Sequence, residues 1–264
     1  MRGKIGVTDD EAVSRHEAFI RDVEERRVSD TSVENCVYLV QFFTEKDQFQ
    51  QGRKYLCLSD DLAEKTHSGS VFLLAKIHYY KQLMRASADK LQERKQVMIM
   101  KKRLDNLDKF TFSTTCRNII IQYEKLYRSM LAKDWNEAKI IFSDAKKMTD
   151  QGVEVFSVDD DLMKRVETVQ CLNKMYHHLS SFQQDKTVSA DTLDRLSKIH
   201  WRRIKIMESC LDHCDQETEE GRVKIQELTF ELADVYLKLL ELKQKKFERT
   251  AGNLDPQLLQ KMVS

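Results

Sequence analysis

Cys210, His213 and Cys214 stand within five residues of one another, and His177 and His178 form a second pair upstream. Thiolates and imidazoles are zinc ligands, so metal binding is the first chemistry this chain offers. The spacing argues against it: Cys210 and Cys214 share a helix face, whereas structural zinc sites usually hold close ligand pairs in a turn. "HWRR" (200–203) offers two guanidiniums to a phosphate or an acidic loop. On a helix Arg202 and Arg203 point about 100° apart, so they make no single clamp and are read as partners of acids on neighbouring helices. Trp201 is expected in the core or beside it. "MKKR" (100–103), with Lys95 before it, and "KQKK" (243–246) are local basic clusters. They sit in a chain whose 44 basic and 43 acidic residues leave a net charge of +1, so no global field draws in nucleic acid or an anionic membrane. There is no Gly-rich phosphate loop, no H-E-x-x-H and no nucleophile elbow. The chain is read as a non-enzyme without cofactor or metal.

Recognition of another protein is the chemistry that remains. Glu34, Tyr38, Gln41 and Glu45 follow one another at steps of 4, 3 and 4, opposite an apolar face of Val33, Cys36, Val37, Val40 and Phe43. An aromatic ring among amide and carboxylate groups suits a groove that binds a partner; an ordinary solvated face is the alternative. Tyr79, Gln82 and Arg85, at i, i+3 and i+6, are expected to extend the same groove. The run "DHCDQETEE" (212–220) holds five acids and no base. It reads as the cap of the helix after it or as an acidic contact surface, and "SVDDD" (157–161) has the same two readings.

The elements that position these residues are helices. Seven Gly and one Pro in 264 residues are too few for the turns of a β-rich fold. Thr8 and Glu11 form a capping box for a first helix to about Arg27, with a thin apolar stripe and partial docking expected. Helices follow near 31–45 and 49–65, then a long one from about 70 toward Arg103, one near 113–132 and one from Trp135 to about Met148. "TDQGVEVFSVDDD" (149–161) is expected as a loop. Further helices are expected near 160–183, 188–213 and 217–249, and "GNLDP" starts a last short turn. That makes about ten helices on short loops, and hence antiparallel neighbours. Apolar runs such as "VFLLA" (71–75) are too short to span a bilayer, and six scattered Cys with no secretory signal read as reduced thiols.

Within these helices a degenerate hairpin repeat is visible. Trp135, Ala138, Phe142 and Ala145 alternate large and small side chains on one face, as a close helix crossing requires. Phe49, Gly52, Leu56 and Ser59 repeat the pattern after a helix bearing Leu39, Val40 and Phe43. Leu232, Ala233 and Tyr236 give the first-helix spacing a third time. The fold expected is an all-α, tetratricopeptide-like α-solenoid of antiparallel hairpins. Residues 1–30 are read as a tail with a peripheral helix, 31–250 as the array and 251–264 as a C-terminal tail.

Several of these stretches resemble a known family. "EAKIIF" (137–142), "KIHWRRIKIME" (198–208) and "TFELADVYLKLLELK" (229–243) resemble, in order, the later part of the KIF-binding protein family. "YLVQFFTEKDQFQQGRKYL" (38–56) resembles one of its middle repeats, and "AKIHYYKQLM" (75–84) the helix after that repeat. The most specific piece is Lys198, His200, Arg202, Arg203, Ile204 and Glu208, with Trp201 where the family has a basic residue. The resemblance implies an α-solenoid that binds kinesin motor domains and keeps them off microtubules, in the cytoplasm and at the cytoskeleton. It places Tyr38 and Gln41 at positions facing the motor, and it lets the 212–220 acids imitate the tubulin surface. The family's N-terminal repeats and C-terminal helices have no counterpart here, so self-association through exposed solenoid ends is expected. A generic helical scaffold for a non-motor partner, or a remnant with an incomplete surface, stays open beside this reading.

Overall fold

A computed structural model describes residues 9–27, 29–65, 69–93, 109–156, 162–183, 189–212, 214 and 218–252. Among them are nine α-helices and no strand: α1 Asp9–Glu24, α2 Asp30–Glu45, α3 Phe49–Lys65, α4 Gly69–Glu93, α5 Thr114–Tyr123, α6 Trp135–Val155, α7 Leu162–Ser181, α8 Ala190–Leu211 and α9 Glu219–Gly252. Thr8, "MKKR", "SVDDD", all of "GNLDP" after Gly252, and part of the 212–220 run, His213 included, lie outside the described residues.

The helix starts follow local chemistry. Ser29 caps α2 through a reciprocal pair, its hydroxyl accepting from the Ser32 amide and its amide donating to the Ser32 hydroxyl, each at 3.2 Å. At α6 the Asp134 carboxylate accepts from the amides of Asn136 and Glu137 at 2.8 and 2.9 Å, and the Glu137 carboxylate returns to the Lys133 amide. Ser113 and Ser189 cap α5 and α8 in the same way.

The chain divides into two compact units, one ending at Leu179 and the other starting at Ser180. In the first, α2 packs on α1, α3 and α4, and α4 packs on α6, the neighbour-on-neighbour stacking of a tetratricopeptide-like array. Helix α1 is docked rather than peripheral, burying Ala12, His16, Phe19 and Val23. His16 sits among Tyr55, Phe110 and Phe112, with Nδ1 2.8 Å from the Tyr55 hydroxyl and Nε2 2.8 Å from the Thr111 carbonyl. Burial lowers its pKa, so the imidazole is neutral, donating from Nε2 and accepting at Nδ1. Phe49, Gly52, Leu56 and Ser59 are all buried, as expected of a crossing face. A Cβ on Gly52 would stand 3.3 Å from both Thr44 Oγ1 and Tyr79 Cε2.

Ala138 and Ala145 are fully buried, and the stripe they begin runs one step further than expected. Gly152 falls seven residues after Ala145, and "TDQGVEV" (149–155) is helix, not loop. A Cβ there would lie 3.0 Å from Ile77 Cδ1 and 3.1 Å from Thr168 Cγ2. The glycine lets helices approach and breaks none. The helix expected near 113–132 is shorter than its sequence implied. It ends at Tyr123, passes through a 3₁₀ turn at Glu124–Leu126 and becomes extended at Tyr127. The chain beyond finds its hydrogen-bond partners on α4. The Tyr79 hydroxyl meets the Arg128 carbonyl at 2.7 Å, the Tyr80 hydroxyl accepts from the Arg128 amide at 3.4 Å, and Ser87 Oγ accepts from the Ala132 amide at 3.0 Å.

In the second unit α9 packs on α8 through Leu228, Val235 and Leu239. The third repeat match is therefore out of register: Ala233 and Tyr236 are exposed and form no crossing. Arg203 is buried and faces Asp234 and Glu231 of α9, while Arg202 is exposed. Burial lowers the Arg203 pKa to about 10, against the pull of those two carboxylates. Trp201 is 43% exposed, with the Lys243 ammonium 5.5 Å from its ring centroid. It belongs to the surface, not the core.

Candidate functional site

Helices α2 and α4 lie side by side in the first unit, and a cleft of about 230 Å³ opens along their contact. Its walls carry Gln41 and Glu45 from α2 and His78, Lys81 and Gln82 from α4, over a floor of Val40, Thr44, Ala75 and Tyr79. The 4-3-4 steps along α2 keep its polar stripe straight, so Gln41 and Glu45 meet the cleft edge as exposed side chains.

The other expected residues go elsewhere. Glu34 is exposed about two turns before Gln41, where the stripe meets the cleft. Tyr38 is half-buried, stacked on Phe42 and roofed by the Arg15 guanidinium 4.2 Å from its centroid. Burial, and next to it the Glu11 carboxylate, raises its pKa. Tyr79 was expected on the groove surface, but it is only 1% exposed. Its hydroxyl is taken by the carbonyls of Phe49 and Arg128, so it is a strut beneath the cleft. Arg85 is held by Asp47, Asp89 and the Gln82 carboxamide at 3.1, 3.2 and 2.6 Å, which fixes the end of α4 against the α2–α3 turn. Steps of three residues fall short of a helical turn, so Tyr79, Gln82 and Arg85 rotate by about 120° in all and cannot share one face.

His78 and Lys81 were not read from the sequence, although His78 stands four residues before Gln82. His78 Nε2 lies 3.2 Å from Glu167 Oε1 of α7. Burial works against the imidazolium, and contacts with Cys171 and Glu167 more than offset it, raising its pKa to about 9. The cleft thus offers an imidazolium, an ammonium, a carboxylate and two carboxamides, a set of donors and acceptors suited to fixing a polar segment of a partner. Among the described residues no three His, Cys, Asp or Glu side chains gather as a metal site, and no helix is long and apolar enough to cross a membrane.

Fold and cleft together define a helical-hairpin array with a polar groove between alternate helices. The model of the KIF-1 binding protein C-terminal family matches residues 70–264, and the chain belongs to that family. It is similar to the KIF-binding protein of Gallus gallus, 28% identical over 134 residues, which is 51% of this chain and 21% of that one. The KIF-binding protein of Danio rerio is 27% identical over 133 residues, 50% of this chain and 19% of the relative. The match spans about a fifth of the length of those relatives. No solved structure matches the chain. The α4 wall of the cleft lies inside the family match and the α2 wall before it.

Proposed function

We propose that this chain is a protein-binding array that docks a kinesin motor domain across the α2–α4 cleft and thereby competes with microtubules for the motor. Membership of the family makes a kinesin the favoured partner. The observation that carries the site is the convergence of Gln41, Glu45, Lys81 and Gln82, from two helices, on one groove. The competition is the reading given by resemblance. Contacts in the groove fall on exposed or half-buried side chains, so binding needs no rearrangement of the core beneath. A non-motor partner for the same cleft is favoured by one fact: the Gln41 and Glu45 wall precedes the region that matches the family.

Microtubule co-sedimentation of a panel of kinesin motor domains, with and without the purified chain, tests the proposal. A motor should move from pellet to supernatant in proportion to the protein added. Gln41→Ala with Glu45→Ala should weaken that effect by roughly 1–3 kcal/mol while helicity stays unchanged. Unaltered displacement by the double variant would remove the cleft from the interface. A helical chain that leaves every motor on the microtubules would transfer the cleft to a non-motor partner.

A further inference from the structure

Helix α9 has two apolar faces, and α8 occupies one of them. Leu228, Val235 and Leu239 are buried, whereas Phe230, Leu237, Leu240 and Phe247 are 69%, 61%, 63% and 73% exposed. The exposed set is ordered. Val223, Phe230 and Leu237 recur at every seventh residue, and Leu240 and Phe247 recur at the same interval three residues further round. These are the a and d positions of a heptad, on the side of α9 away from the α8 contact, and such a seam is what another helix packs on by knobs into holes. Gln226, Ala233 and Gln244 fill the remaining seam positions. Small and polar members weaken a seam while setting its register.

The flanks identify the occupant. One flank carries Arg222 and Lys243, and the other carries Glu227, Asp234, Glu241 and Glu248. When two copies of α9 lie parallel and in register, each basic residue faces the acid five positions later on the other copy, Arg222 to Glu227 and Lys243 to Glu248. Antiparallel packing would set the all-acidic flank against itself. The exchange replaces contacts already present: Lys243 would leave the Trp201 ring of α8, whose centroid lies 5.5 Å from its ammonium. Arg222 meets Glu219, Glu227 meets Lys224 and Glu248 meets Gln244 in exposed pairs within the helix, a kind that contributes little. The geometry points to a second copy of this chain as the partner of the exposed α9 face, in a parallel, in-register two-helix seam from Val223 to Phe247. The seam covers about three and a half heptads, close to the shortest that holds two chains, so dimerisation depends on concentration.

Sedimentation equilibrium of the full chain reads the outcome, with circular dichroism as the control for folding. Twice the monomer mass should appear as concentration rises, and Leu237→Glu with Leu240→Glu should return the chain to monomer with its helicity intact. Arg222→Glu with Lys243→Glu should weaken the dimer about tenfold or more, and adding Glu227→Arg with Glu248→Lys to the same chain should restore it. Three results overturn the proposal: a folded chain monomeric at every concentration, a dimer indifferent to the leucine variants, or charge reversal that the compensating pair does not rescue.

Discussion

Helices α4 and α9 are the two longest among the described residues, at 25 and 34 residues, and they use their length in opposite ways. Along α4 the consecutive Tyr79 and Tyr80 are both buried, as are Phe72, Ile77, Leu83, Met84 and Ser87, so the helix is covered on nearly every side. The hydroxyls of Tyr79, Tyr80 and Ser87 bond to the backbone of Arg128 and Ala132, and the edge bearing His78, Lys81 and Gln82 reaches the cleft. Helix α9 buries one narrow stripe and shows solvent a second, ordered one. A helix apolar all round has its neighbours already in place; a helix with two separate stripes has room for one more. The two proposed partner surfaces therefore rest on different means, the α4 edge on a few polar groups over a fixed base and α9 on apolar side chains that lie open.

The contrast is testable by substitution. Tyr79→Ala should cost most, about 3–5 kcal/mol, because it empties a fully enclosed site and frees the carbonyls of Phe49 and Arg128. Chemical denaturation measures it, and a loss under 1 kcal/mol would mean that α4 is not the enclosed helix described. Ser87→Ala leaves the buried Ala132 amide without its acceptor and should cost about 1–3 kcal/mol by the same measurement. His78 comes next. Its pKa of about 9 lies above the ordinary 6.5, so its stabilising effect is complete below 6.5 and fades as pH rises through 9. Wild type should exceed His78→Gln by about 1 kcal/mol more at pH 6 than at pH 9.5, allowing for the partial exposure of Glu167. An equal gap at both values would mean that the imidazole is neutral throughout. Phe230→Ser, on the open stripe, should leave the unfolding of the isolated chain unchanged within about 0.5 kcal/mol at low concentration. A larger loss there would erase the distinction between the two helices.

How legible these features were in the sequence followed from how local their causes are. The crossing face at Ala138 and Ala145 and the straight stripe through Gln41 and Glu45 depend on spacing within one helix, and spacing is visible in a sequence. Gly152 was misread because a glycine among polar residues signals a turn, while its actual partners, Ile77 and Thr168, lie far away in the chain. Residues 127–132 read as helix because their side chains favour one; the hydroxyls of Tyr79, Tyr80 and Ser87 offered the backbone different partners. At the cleft, Lys81 and His78 went unnoticed for a related reason. Nothing in their own helix distinguishes them, and only the approach of α2 and α7 gives them a role.

The fastening of residues 128–132 to α4 has a consequence for the order of folding. Its hydrogen bonds join groups 45 to 49 positions apart in the chain. Closing so long a loop is entropically costly until α4 is already in place against α2 and α3, so this segment is expected to join after the hairpins beneath it. A late-formed contact governs how quickly the native state opens and hardly affects how quickly it is reached. Ser87 thus acts as a latch on the lifetime of the folded unit, and its loss should shorten that lifetime while refolding proceeds at nearly the original rate.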